Sequence, residues 1–247
     1  MSWDSSQPFT DDAPLWEQIA DRLRRAIDAG HFGPGAVLPT EADINAQFQV
    51  SRTTSRAAMN RLVQEGLVIR RAGIGSIVRE FRVERPVSQL TGFSEDMRRR
   101  GLSSSYTVLK AGMEAPSPEA AEALGLPAGD ITFQSERLLS ANGRLIGLSE
   151  SWLRPDLFTT HAPPSSAELG TRSLYEWLRS TLGVEIIGGV EHIEAAIAPS
   201  AICKKLQLTP GSPVLVARRL AKTKGGLSVE FAITTYRADR YRFRVEL

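Results

Sequence analysis

Residues 38–78 read LPTEADINAQFQVSRTTSRAAMNRLVQEGLVIRRAGIGSIV, and the punctuation of this stretch decides the fold of the first part of the chain. Thr40 is a good helix N-cap with Asp43 placed to complete a capping box, and Ile44 and Phe48 mark the buried face of a short helix ending near Gln49. Val50 separates it from Ser51, a second N-cap. Ala57, Ala58, Leu62 and Val63 supply the inner face of the helix that follows, which Gly66 stops. The run 67–71 (LVIRR), a turn over 72–75 (AGIG) and the run 76–79 (SIVR) predict a β-hairpin with a glycine tip. Two short helices about a tight turn, followed by a hairpin, make a helix-turn-helix with a wing.

Toward the N-terminus, segment 31–39 (HFGPGAVLP) holds too much Gly and Pro for a helix and leaves a short extended piece at 36–38. Before it, Pro14 suits the first turn of a helix reaching Ala29, with Leu15, Ile19, Leu23, Ala26 and Ile27 on one face and Gly30 as its stop. Residues 1–12 are polar and acidic and are expected to be disordered, which places the winged unit at residues 13–79.

Lys and Arg number 30 against 28 Asp and Glu, so a histone-like binder held by net charge alone is excluded. Local pattern supplies what bulk charge does not: between Ser51 and Arg79 stand Arg52, Arg56, Arg61, Arg70, Arg71 and Arg79 against Glu65 alone. Ser51, Arg52, Thr53, Thr54 and Arg56 occupy the start of a helix, where free N–H groups favour phosphate. Arg52 and Arg56, four apart on one face, allow one guanidinium to reach a base edge while the other holds the backbone. Arg70 and Arg71 beside the wing turn are candidate phosphate contacts, whereas the run Arg98, Arg99, Arg100 reads as a solvated helix end.

Segment 80–89 (EFRVERPVSQ) mixes charge with proline, lacks a period and is expected to be a linker to a second domain at 90–247. That domain opens with a short helix at 93–100 and an extended segment at 106–113, and then repeats itself. Residues 118–130 and a strand ending Glu136-Arg137-Leu138 are echoed by residues 200–212 and a strand ending Arg218-Arg219-Leu220. Each copy continues through a glycine turn into another strand, 144–153 and 227–237. Between the copies lie a loop at 157–171, a helix at 173–181 and a strand at 184–197. An antiparallel sheet flanked by helices, an α+β domain, buries such strands.

Cys203 is the only cysteine, which excludes an intramolecular disulfide and a cysteine zinc cluster. His31, His161 and His192 lack ligand spacing, and neither a metal nor a cofactor is expected. The polar N-terminus and the lack of a membrane-length apolar run predict a soluble, cytoplasmic protein. Trp152, Tyr175 and Trp177 read as core or pocket wall.

Residues 38–78, through LPTE, SRTT with Arg56, the EGL turn and the GIG wing tip, resemble the winged-helix head of the GntR family of bacterial transcription regulators. From Leu90 onward, EALGLPAGD, the LYEWLR helix, LQLTPGSPVL and YRADRYRF resemble the UTRA domain, the effector-binding half of the HutC subfamily, whose fold is shared with chorismate lyase. The resemblance implies that Arg52, Thr53, Thr54 and Arg56 contact DNA, with Ser51 capping and Gly75 approaching the backbone at the wing. It implies two departures as well. Ala42 stands where relatives commonly carry a base-reading Arg, and Leu139 stands where sugar-phosphate-responsive relatives carry a second Arg.

For the second domain, Arg137 is the foremost candidate for an anionic effector, because a guanidinium on a sheet beside a cleft holds a carboxylate or phosphate bidentately. Ser173 and Tyr175, at a helix start, and Tyr236 match pocket positions in relatives. Glu230 and Glu150 are candidates for ligand hydroxyls, with a strand register that one residue would invert, and Thr91 and Ser94 complete the set. The resulting expectation is a homodimeric, effector-responsive regulator, a repressor of metabolite uptake or breakdown that leaves a palindromic operator on binding its effector. The alternatives are a lyase-like enzyme, for which no nucleophile and base pattern is found, and a DNA-binding module without ligand control.

Overall fold

The computed structural model describes residues 8–86 and 91–245, and the chain divides into two compact units at residues 81 and 82. The first unit contains α1 (Leu15–Asp28), α2 (Glu41–Phe48), α3 (Arg52–Gln64), β1 (Val68–Arg71) and β2 (Gly75–Val78). Its core joins Ile19 and Leu23 of α1, Ile44 of α2, Ala58, Met59 and Leu62 of α3, and Val68 and Val78 of the wing. Each such Leu or Ile contributes roughly 1.5–3 kcal/mol on burial.

The helix starts follow the expected capping. Thr40 and Asp43 form a capping box, and Ser51 accepts from the Thr54 amide at 3.2 Å. Gln49 takes a left-handed φ of 52° that lets the chain leave α2 and re-enter helix after one further residue pair. β1 and β2 pair antiparallel with Arg71 opposite Gly75, and Val37 bridges to Ile77 beside them.

Residues 8–12 depart from the expected disordered tail. The Phe9 ring meets Phe48 edge-on at 5.6 Å, and the Arg22 guanidinium lies 4.1 Å from its centre, so one apolar side chain anchors a polar segment. Gln18 clamps it by accepting from the Thr10 amide at 2.9 Å and donating to the Thr10 carbonyl at 2.7 Å. The remainder of the tail, 1–7, lies outside the described residues.

The second unit runs β3 (Val83–Pro86), α4 (Phe93–Arg99), β4 (Ser104–Glu114), α5 (Pro118–Leu124), β5 (Thr132–Ala141), β6 (Arg144–Leu153), a 3-10 turn (Pro155–Phe158), α6 (Ser166–Thr171) and α7 (Leu174–Leu182). It continues with β7 (Ile186–Ile197), α8 (Ser200–Leu206), β8 (Pro213–Thr223), β9 (Ser228–Arg237) and β10 (Tyr241–Arg244). Six strands form one antiparallel sheet in the order β4-β5-β6-β9-β8-β7. The internal repeat is therefore larger than the sequence suggested: β4-α5-β5-β6 and β7-α8-β8-β9 are successive copies that meet at the central β6 and β9.

The expected linker, 80–89, is corrected in part. Its residues 83–86 form β3, which pairs in parallel with β10, a strand that the sequence reading also missed. Four residues alternating Val83 and Arg85 inward with Glu84 and Pro86 outward are too few to show a period by themselves, and the partner lies at the far end of the chain. Residues 87–90 lie outside the described residues. Within the expected loop at 157–171, α6 starts from a capping box of Ser165 and Glu168.

Strand alternation sorts the sheet into two faces. On one, α5 and α8 pack through Ala120 and Leu124 on Trp152 and Phe231, and through Cys203 on Val214. On the other, α6 and α7 bring Leu169, Leu174, Trp177 and Leu178 against Phe133 and Leu153. This second face also carries Arg137 and Leu139, two and four residues beyond Ser135 on β5.

Candidate functional site

At the start of α3, Ser51 is held as cap by Thr54 and shares its hydroxyl with Thr53 at 2.7 Å. Arg52, Thr53 and Arg56 are exposed, while Ser55 turns inward and donates to the Arg52 carbonyl at 3.1 Å. One face of α3 is thereby fixed to the core, and the opposite face presents guanidiniums and hydroxyls. Arg70 and Arg71 are exposed on β1, with Arg70 in a loose 3.4 Å pair with Glu41. Gly75 holds a φ of 115°, which a side chain would strain, and a Cβ there would sit 3.4 Å from Val37. The eight DNA candidates thus lie at the helix start and on the hairpin, a constellation suited to phosphate and base edges.

On the sheet face shared with α7, a small cleft brings together Thr91, Arg137, Ser173, Tyr175, Glu230 and Tyr236. The Arg137 guanidinium is 6% exposed and stacks 4.8 Å from the centre of the Tyr106 ring. Its Nε and Nη1 have no hydrogen-bond partner, and burial pushes its pKa down even though Tyr106 and Glu230 favour the charged form. Such an atom pair is costly to leave unmade, by about 1–3 kcal/mol or more for a charged group.

Glu230, Arg85 and Arg219 of the cleft have charged or hydroxyl partners. Glu230, buried at the start of β9, accepts from the Tyr175 hydroxyl at 2.6 Å and from Ser151. Burial and then the Glu230 charge push the Tyr175 phenol far up, so it stays a donor. Arg219 binds Glu191 at 2.7 Å, and Arg85 binds the same carboxylate at 2.9 Å. Burial works to raise the Glu191 carboxyl, but Arg219 and Arg85 overcome it and hold it below the usual range. Arg219 also reaches the Thr91 carbonyl at 3.4 Å and the Tyr175 hydroxyl at 3.5 Å.

Ser173 caps α7 and accepts from the Glu176 amide at 3.1 Å. Tyr236 stacks on Tyr241 at 4.0 Å, and the backbone at Gly147 passes so close that a Cβ there would meet the Thr235 carbonyl at 2.7 Å. Ser94 stands behind the wall, 2.5 Å from the Tyr106 hydroxyl. Glu150 is corrected. It pairs across the strand with Glu136 and Ile233 on the opposite face, where burial and then Glu136 raise its carboxyl. The period of two explains the error, since one residue along β6 Ser149 faces the cleft.

Sequence reasoning missed Arg85, Asp96, Arg219 and Glu191. A signal for Arg219 existed, because it occupies in the second repeat the position of Arg137 in the first. Arg137 pairs with Ser149 across β6 as Arg219 pairs with Ala232 across β9.

A winged helix-turn-helix joined to a cleft-bearing α+β domain defines a ligand-responsive, DNA-binding transcription regulator. The chain matches the gntR family of bacterial regulatory proteins over residues 15–78 and the UTRA domain over residues 99–242, and it belongs to the GntR family, in the HutC branch that carries UTRA. It is 28% identical to the HTH-type transcriptional repressor NagR of Bacillus subtilis, over 93% of each chain. To the Escherichia coli mannosyl-D-glycerate transport/metabolism system repressor MngR it is 26% identical, over 93% of this chain and 94% of the relative. The crystal structure of PhnF from Mycobacterium smegmatis superposes with a TM-score of 0.59 at 25% identity, covering 93% of this chain and 98% of that one. Among the described residues, no helix is long and apolar enough to cross a membrane.

Proposed function

We propose that the chain acts as a homodimeric repressor that binds a palindromic operator through Ser51, Arg52, Thr53, Thr54, Arg56, Arg70, Arg71 and Gly75, and is released by an anionic metabolite bound in the sheet cleft. The observation that carries the ligand reading is Arg137, a buried guanidinium whose Nε and Nη1 lack partners on a cleft wall. Ser173, Tyr175, Glu230, Tyr236 and Thr91 surround the bound effector, with Ser94 steadying Tyr106 behind them.

Release follows from linkage. An effector that prefers one dimer geometry withdraws free energy from any other, and a tenfold loss of operator affinity needs only about 1.4 kcal/mol of coupling. Arg85 belongs to the cleft wall and to β3, the strand that continues from the end of the first unit, so a ligand bearing on that wall bears on the connecting chain. The names of relatives such as NagR and MngR support repression as the direction of control.

The test is a fluorescence-anisotropy titration of the full chain on DNA selected from a random pool, repeated across a panel of sugar phosphates, amino acids and organic acids. The expected result is a two-fold-symmetric selected sequence and weaker binding with at least one anionic compound, with Arg137→Ala retaining DNA affinity and losing that response. Operator affinity unchanged across the whole panel would remove ligand control from the reading.

A further inference from the structure

Two buried side chains on the wall of the cleft keep polar atoms without partners, and they differ in kind. Arg137 offers two donors, Nε and Nη1, and Asp96 of α4 offers an acceptor, Oδ2; both residues are 6% exposed and both line the cleft. Asp96 uses its other oxygen to bind Arg100 at 2.5 Å, so its charge is already matched while Oδ2 is not hydrogen-bonded. Glu230 has two hydroxyl donors, and Glu191 has two guanidiniums. What remains to be satisfied is one cation and one acceptor.

The charges of the wall and its immediate partners set a further limit. Arg85, Arg100, Arg137 and Arg219 stand against Asp96, Glu191 and Glu230, an excess of a single positive charge. A monoanion restores balance. A dianionic phosphate ester would overshoot it beside two buried carboxylates, and a zwitterion would leave the excess in place. Leu139, on the same face two residues from Arg137, supplies an apolar surface and no second guanidinium for a doubly charged group.

We infer that the effector is a hydroxy monocarboxylate, whose carboxylate is held by Arg137 and whose hydroxyl donates to Oδ2 of Asp96. The inference rests on the reading of this cleft as the effector site, and it goes further by naming the class of ligand and by giving Asp96 a role in selecting it. Specificity arises because a ligand lacking the hydroxyl leaves a buried acceptor unpaired, whereas one bearing it does not.

Small matched probes separate these elements. The melting midpoint of the full chain is measured at constant ionic strength against D-glycerate, propionate, glycerol and sn-glycerol 3-phosphate, each variant being referred to its own midpoint without probe. D-Glycerate is expected to raise the midpoint at concentrations at least tenfold below those needed for propionate or glycerol 3-phosphate, with no shift from glycerol. Asp96→Asn is expected to bring D-glycerate down to the level of propionate, and Arg137→Gln to remove both shifts. Tighter binding of glycerol 3-phosphate than of D-glycerate through Arg137 would overturn the monocarboxylate, and equal binding of propionate and D-glycerate would overturn the role of Asp96. Shifts that survive Arg137→Gln, or the absence of a shift with any anion, would overturn the cleft reading itself.

Discussion

Arg137 on β5 and Arg219 on β8 stand at matching positions of the two repeats, yet Arg219 lies 2.7 Å from the Glu191 carboxylate while Nε and Nη1 of Arg137 meet no acceptor. The two repeats place equivalent guanidiniums on one sheet face, and Glu191 of the edge strand β7 neutralises one of them. The asymmetry predicts opposite responses to the same substitution. Arg219→Met leaves Glu191 buried with half its partners and should lower stability by about 3 kcal/mol, in line with breaking a buried pair. Arg137→Met removes an unpaired buried charge and should be neutral or stabilising. Urea unfolding of both variants decides it, and equal losses would remove the distinction between the two arginines.

On the DNA side, position and charge separate two kinds of arginine. Arg52 opens α3 and should read a base edge, so Arg52→Ala is expected to cost about 1–3 kcal/mol and to flatten preference among operator variants. Arg71 lies on the wing, where Arg71→Ala should weaken all sequences alike and reduce the salt slope by about one unit. Anisotropy titrations at several salt concentrations separate these outcomes, and a preserved sequence preference in Arg52→Ala would place base readout elsewhere.

Glu168 supplies an acid-sensitive clasp on α6. Its carboxylate accepts from the Ser165 amide, from Trp177 Nε1 and from Arg172, and these bonds hold its pKa at about 2 against an ordinary 4.5. A depressed folded pKa means stability that is complete above the ordinary value and is lost as pH falls toward about 2. The stability difference between the native chain and Glu168→Gln should therefore be largest near neutral pH and shrink below pH 4.5. Thermal unfolding of both proteins across that range measures it, and a constant difference would show that Glu168 acts by packing alone.

The head was legible because its signals are local. Capping pairs at Thr40 and Ser51, the glycine stop and the hairpin tip each operate within a few residues, and the structure uses all of them. In the cleft, Arg137 was legible from residue type on a strand, and Ser173, Tyr175 and Tyr236 through the resemblance to relatives, whereas the repeat that marks Arg219 was not used. β3 escaped because its partner β10 lies more than a hundred residues away, and Asp96 escaped because a carboxylate within a short charged helix looks solvated until burial is known. Glu150 was misplaced because alternation along a strand carries no phase, which the packing of Trp152 on the α5 face supplies. The Ser165 and Glu168 capping box was a local signal left unread in a segment that was expected to be loop.

The central pairing of the two repeats gives the last prediction. β6 and β9 join the halves of the sheet with Gly147 opposite Tyr236, and a Cβ at Gly147 would lie 2.7 Å from the Thr235 carbonyl oxygen and 3.1 Å from the Tyr236 ring. The nearer obstacle is backbone, which cannot rotate away, so Gly147→Ala should force the strands apart and cost about 1–3 kcal/mol. Gly112→Ala, on β4 with nothing within 4 Å of the added carbon, is the control and should change stability by no more than about 0.5 kcal/mol. Because the Tyr236 ring lines the cleft, Gly147→Ala should also weaken effector binding, while Gly112→Ala leaves it unchanged. If Gly147→Ala matches Gly112→Ala in both measurements, β6 and β9 do not approach as closely as this register requires.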